Sequence, residues 1–337
     1  MRRRPDVAFR VIPLAILVMA AGVAAWAGPA WSTRYAAVPW LVAVAVVGLP
    51  HGAADLAVLA RLRGPRAAGR LFAAATSLTA LALVGFLVAP RWAVAAFVPL
   101  TVWHFGTAHA RSQSPPPAAA AGPLALAAVA RGGGVLGVPL AVWPAETATI
   151  ANRVVAIAPG ATAAFAPDAI RSAGIALVVT AAAALMAEAW KARRSPAGRR
   201  RTVATCVDLL ASALLAAAAH PLFSVGVHFL CWHAWREMKP LLRVLAPRSL
   251  GPDGRSVGLA DVLGGVAAVH VAALPLLVPA WAALAAVWWL RCPAHTATDL
   301  AVVSLAAYVV MTPAHEVVLD LVELDRPPAM AGSRRWD

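Results

Sequence analysis

The chain has 337 residues, of which 61% are hydrophobic and only 13% charged, and its formal net charge is +14. Soluble domains carry about 25% charged residues, so this composition excludes a soluble enzyme and leaves an all-α polytopic membrane protein. The positive charge does not indicate a nucleic-acid partner. It is concentrated in short loops between apolar runs, where Lys and Arg act as topology signals and contact lipid headgroups. The partner it implies is the lipid bilayer.

In chain order, a span needs about 20 apolar residues to cross a hydrocarbon core of about 30 Å. The candidates are 11–28, 37–59, 71–90, 93–110, 123–143, 171–190, 204–220, 222–236, 258–279, 280–291 and 299–318. Run 280–291 is too short to cross alone. Run 123–143 holds Arg131 and Gly132-Gly133-Gly134, which predict a broken or re-entrant segment. The expectation is about eight to ten transmembrane helices in one domain over 1–326, with a disordered tail at 327–337. Segments 112–122 and 246–257 read as loops from their Pro and Gly content. Arg2-Arg3-Arg4, the apolar run Val11–Ala25 and Ala25-Trp26-Ala27 are similar to a signal peptide. The many spans that follow favour an uncleaved first helix.

Basic loops set the orientation. Arg2, Arg3, Arg4 and Arg10, then Arg61, Arg63, Arg66 and Arg70, then Lys191 to Arg201, then Arg236 to Arg255 alternate with poor loops holding Arg34 or Arg91. The positive-inside rule places the N-terminus and the rich loops in the cytoplasm of a multi-pass plasma-membrane protein. In that frame His51, His104 and His233 reach similar depths on three different helices. Cys206, Cys231 and Cys292 show no CxxC spacing and no disulfide framework.

Nine histidines are the anomaly in so apolar a chain, because an ionisable group inside a span marks function. His51 and Asp55 are four residues apart on one helical face, where the carboxylate can accept the second N–H of a metal-bound imidazole. His104 precedes Gly106, which permits close helix approach. His233 and Glu237 share i, i+4 spacing, and imidazole with carboxylate suits non-haem Fe(II). On a regular helix His228 points about 140° away from His233. His109 reads as solvated or as a support to a ligand at the membrane edge. His315 follows Thr312-Pro313-Ala314 with Glu316 beside it. His220, His270 and His295 read as structural or solvated.

The order Gly48-Leu49-Pro50-His51-Gly52-Ala53-Ala54-Asp55, then His104-Phe105-Gly106, then Phe229 through Arg236, then Thr312 to His315 resembles the Brp/Blh family of integral-membrane β-carotene 15,15′-dioxygenases. The resemblance runs from about residue 37 to about 320. It implies a membrane-embedded non-haem Fe(2+) oxygenase that cleaves the central double bond of β-carotene, or a related carotenoid, with O2 to give retinal. A retinal-binding protein is the implied downstream partner. The resemblance further implies His51, His104 and His233 as iron ligands, with Glu237 in the fourth position and Asp55 and His315 in supporting or channel roles. Two departures stand out: Glu237 replaces a second family histidine, and His228 replaces an aromatic residue.

The residues alone leave other classes open. His51 and His104 on facing helices could ligate haem in an electron-transfer or assembly protein. Asp55, Asp208 and Asp261 with intramembrane histidines could serve a transporter or proton relay. A membrane di-iron desaturase needs clustered histidine boxes, and the chain has no His-His pair.

Overall fold

The computed structural model describes residues 6–113, 121–162, 164–251 and 258–324; the expected tail at 327–337 and the centres of the loops at 112–122 and 246–257 lie outside them. Fourteen α-helices occur among the described residues, and no strand. They are α1 (Ile12–Ala27), α2 (Pro29–Arg34), α3 (Ala37–Ala43), α4 (Leu49–Arg63), α5 (Pro65–Val88), α6 (Pro90–Gln113), α7 (Ala121–Val142), α8 (Pro144–Val155), α9 (Pro167–Ala192), α10 (Pro196–Ala218), α11 (Pro221–His228), α12 (Trp235–Leu245), α13 (Leu259–Arg291) and α14 (Ala297–Leu324). Single π-helical stretches precede α1 at Val7–Val11, join α3 to α4 at Val44–Gly48, and join α11 to α12 at Phe229–Ala234.

Among the described residues, eight helical rods are long and apolar enough to cross a membrane: Val7–Ala27, Ala37–Arg63, Pro65–Val88, Leu124–Val142, Pro167–Ala192, Pro196–Ala218, Leu259–Arg291 and Ala297–Leu319. Two more rods, α6 and the continuous run from α11 through α12, have comparable length. They are less apolar because they carry His104, His109, His228, His233, Arg236 and Glu237. The protein is a polytopic helical membrane bundle. Its outer surface fits that reading: α5 is only 6% buried over its most apolar window, and Leu81, Val179 and Leu290 are well exposed. An apolar surface of that extent requires lipid rather than water against it.

Two expectations are corrected. Runs 258–279 and 280–291 are one helix, α13, which continues through Pro275 and Pro279. Within a bundle, neighbouring helices tolerate the carbonyls that proline frees. Run 123–143 is unbroken in α7. Arg131 finds partners there: its guanidinium donates to Glu188 at 2.7 Å, to the Ala127 carbonyl at 3.0 Å and to Thr205 at 3.5 Å. The adjacent glycines serve packing. A Cβ on Gly132 would lie 1.9 Å from the Val102 carbonyl oxygen, and one on Gly106 would lie 2.0 Å from that of Ala128. Each helix thus offers a glycine to the other's backbone, the small-residue mode of close helix contact in membranes.

The largest core lies around Trp40, Val47, Phe229, Met238, Leu242, Val262 and Leu277, with α4 packed against α5, α12 and α13. Arg61 on α4 donates to the carbonyls of Val244 and Leu245 at 2.8 and 3.1 Å. Those are the last carbonyls of α12, which have no partner within their own helix. The first helix is a working part of the bundle. Leu17 and Ala24 are fully buried against α10 and α11.

Candidate metal centre

Two of the π-helical stretches fall beside site histidines. Val44–Gly48 ends three residues before His51, and Phe229–Ala234 contains His233. Such insertions recur at functional sites because they re-aim side chains within an otherwise regular rod. His51, His233 and His104 on α6 are buried, and His315 on α14 is half-buried between buried Ala314 and Glu316.

Four imidazoles close a circuit. Ring centroids are 5.9 Å apart for His51 and His233, 4.6 Å for His233 and His104, 5.3 Å for His104 and His315, and 5.1 Å for His315 and His51. All four pairs meet at steep interplanar angles, from 62° to 78°. Two of the rings are hydrogen-bonded at Nδ1, and a third has a carboxylate against it that makes no hydrogen bond in this geometry. His51 donates to the Val47 carbonyl at 3.1 Å, His104 donates to Glu316 Oε2 at 2.6 Å, and His315 Nδ1 lies 3.0 Å from Asp55 Oδ2. The Nε2 atoms of His51, His233 and His315 are buried with no hydrogen-bond partner. Buried imidazole nitrogens without partners cost free energy, and an Nδ1 anchor with a free Nε2 is the usual arrangement of a metal-ligating histidine.

The ring centroids, taken alone, fall in the range that ligands of a shared ion would occupy. With a metal–nitrogen bond of about 2.1 Å the ring centroid sits roughly 3.2 Å from the metal, so neighbouring centroids are about 4.6 Å apart at right angles and about 5.3 Å apart in a tetrahedron. The observed 4.6–5.9 Å brackets both. Among the described residues no group of three or more His, Cys, Asp or Glu side chains stands at the spacing that would hold a metal ion.

An aromatic wall backs His233. Phe105 is 4.4 Å and Phe229 5.6 Å from its ring, and Trp40 and Tyr308 pack on Phe229 at 5.3 and 5.4 Å. Gly48 makes room for this wall. A Cβ there would lie 2.5 Å from Tyr308 Oη and 2.7 Å from the Phe229 ring.

The candidates of the sequence are distributed as follows. His51, His104 and His233 come together, and His315, expected in a supporting role, is a full member of the ring circuit. Asp55 does not serve His51, whose Nδ1 is taken by Val47; it faces His315 instead. His233 lies within the π stretch Phe229–Ala234, and Glu237 follows in the first turn of α12. Glu237 borders a void of about 10 Å³ with His109, Ser112, His228, His233 and Arg236, and stays close enough to His315 for their charges to interact. His228 turns to Ser212 Oγ at 3.1 Å. His109 is corrected: it is 7% exposed and 3.3 Å from Asp208, inside the bundle rather than solvated at its edge. Trp232 is 2% exposed and lies in the core. His220 caps α11, its Nδ1 accepting from the Leu222 amide at 3.3 Å. Glu316 was passed over in the sequence as a neighbour of His315. The signal for it was a carboxylate deep in an apolar helix, which demands a partner.

A helical membrane bundle with converging imidazoles in its interior defines the class: an integral-membrane protein with a histidine-built centre. A profile of the family described as Beta-carotene 15,15′-dioxygenase matches residues 42–323. The chain therefore belongs to the beta-carotene 15,15′-dioxygenase family and is a carotenoid-cleaving dioxygenase. The probable beta-carotene 15,15′-dioxygenase Blh of Halobacterium salinarum is 27% identical over 343 aligned residues, covering 94% of this chain and 91% of that protein. No solved structure matches the chain.

Proposed function

We propose that this chain cleaves the central double bond of β-carotene, or of a closely related carotenoid, with O2 to give retinal. The further proposal is that it does so with Fe(2+) held by His51, His104, His233 and His315. The observation that carries it is the four-ring circuit with the buried, unpartnered Nε2 atoms of His51, His233 and His315. Three or four neutral imidazoles suit a ferrous ion and leave positions open. When bound, the ion supplies the oxygen chemistry that no side chain can perform.

The residues of the chain do the rest. Nδ1 hydrogen bonds to Val47 and Glu316 set which nitrogen of His51 and His104 faces inward, and the Asp55 carboxylate stands against Nδ1 of His315. Phe105, Phe229, Trp40 and Tyr308 exclude water and offer an apolar surface to a polyene that has no polar handle. An open apolar groove of about 460 Å³, lined by Trp31, Tyr35, Val38, Val42, Phe223 and Leu230, gives such a molecule a place to enter from lipid. Glu237 lies beside the centre and tunes its charge. The chain sits in the plasma membrane with its N-terminus in the cytoplasm, the orientation favoured by the arginine-rich loops. A retinal-binding protein takes up the product.

Expression in a β-carotene-accumulating bacterium tests the activity. Colour loss with retinal in the extract is expected. Retained colour with a folded, iron-loaded protein would overturn the assignment of β-carotene.

A further inference from the structure

A divalent ion with four neutral imidazoles places two positive charges inside a bundle surrounded by hydrocarbon. Buried charge of that size demands compensation close by. Two carboxylates stand directly behind the rings. Glu316 Oε2 is 2.6 Å from His104 Nδ1, and Asp55 Oδ2 is 3.0 Å from His315 Nδ1. Both carboxylate residues are buried, at 7% and 6% exposure. The Glu316 Oε1 atom is buried without a partner of its own. A carboxylate kept only to tie helices together would be expected to use both oxygens.

The arrangement crosses between helices. On α14, His315 enters the ring circuit while the next residue, Glu316, reaches across to the histidine of α6. On α4, Asp55 backs the histidine of α14, while His51 one turn earlier rests on a backbone carbonyl. Each carboxylate thus supports a ligand contributed by a different helix. The pair supplies two negative charges against the two positive charges of the ion.

We propose that Glu316 and Asp55 are the counter-charge of the metal centre and act as positioning residues for His104 and His315. This rests on the reading of the four histidines as its ligands. The distinction from simple helix glue is charge. Glu316→Gln keeps an oxygen that can accept from His104 Nδ1–H and nearly keeps the side-chain volume, but it removes the negative charge. Asp55→Asn likewise removes the negative charge behind His315 at nearly constant volume; Asp55 Oδ2 is 3.0 Å from His315 Nδ1 but makes no hydrogen bond with it.

The experiment is a Co2+ titration of the purified full-length chain in detergent after chelator stripping, followed by visible absorption and by bound metal after desalting. Glu316→Gln is expected to bind Co2+ about 10- to 100-fold more weakly than the parent, the range for loss of an outer-shell partner. Asp55→Asn is expected to fall in the same range, and the double variant below either. The melting temperatures of both single variants without metal are expected to match the parent's. Parent-like affinity in the variants, or a loss of metal-free stability with affinity unchanged, would overturn the counter-charge role. A parent chain that binds no Co2+, or a His315→Ala variant that binds it as tightly as the parent, would instead remove the four-histidine reading, and this inference with it. Should Glu316→Gln fail to fold, Asp55→Asn carries the test alone.

Discussion

Gly106→Ala places one methyl group where α6 and α7 are in backbone contact. The added Cβ would meet the Ala128 carbonyl oxygen at 2.0 Å and the Ala128 carbonyl carbon at 2.5 Å. Ordinary contact begins near 3.4 Å, so the helices must separate by about 1.4 Å at that point. No flexible side-chain end is available to give way. Overpacking of a buried contact typically costs about 1–3 kcal/mol, and a backbone obstacle belongs at the upper end. Alanine returns about 0.8–1.0 kcal/mol through its better helix propensity. The net expectation is a loss of about 2 kcal/mol. His104 is two residues away on the same helix, so the shift also displaces one imidazole from the circuit and weakens metal retention. The assay is unfolding in graded SDS followed by tryptophan fluorescence, with bound metal measured on the same preparation. Gly85→Ala on α5, where nothing lies within 4 Å of the new methyl, is the control and should be neutral or slightly stabilising. Parent-like stability and metal content in Gly106→Ala would refute the close α6–α7 approach and the placement of His104 that depends on it.

Other outcomes follow from the same geometry. His315→Ala should lose bound metal nearly completely, whereas Glu237→Ala should retain most of it; metal analysis of desalted protein decides, and the reverse ranking would restore Glu237 as the fourth ligand. Arg131→Ala leaves the half-buried Glu188 without its cation and should destabilise the bundle by about 3 kcal/mol, the low end of the range for breaking a buried pair, because the Glu188 side chain is 21% exposed. The double variant Arg131→Met with Glu188→Leu should recover most of that loss in the same SDS assay. A single-variant loss below about 0.5 kcal/mol would mean that the pair is solvated in the membrane-embedded protein.

Composition and periodicity by themselves determined the class and the inventory. So apolar a chain can satisfy its backbone in lipid only as a set of helices, and the span positions followed from run length to within a few residues for most rods. The intramembrane histidines were legible because an imidazole in hydrocarbon is anomalous whatever surrounds it, and the ordered motifs around His51, His104 and His233 carried the family. Gly106 as a point of close helix approach was legible too, since only glycine admits a neighbouring backbone.

Partnership belonged to the tertiary structure. Asp55 was paired with His51 by helical spacing, yet in the bundle it faces His315, some 260 residues away in the chain. His315 and Glu316 differ from any other His-Glu neighbours only in what α4 and α6 bring against them. The π stretch at Phe229–Ala234 around His233 was not legible either, because hydropathy does not record local winding. Arg131 looked like a helix breaker until Glu188 and Thr205 arrived from α9 and α10. Spacing along one helix fixes which groups share a face; which groups across the bundle meet that face is set by how the rods pack.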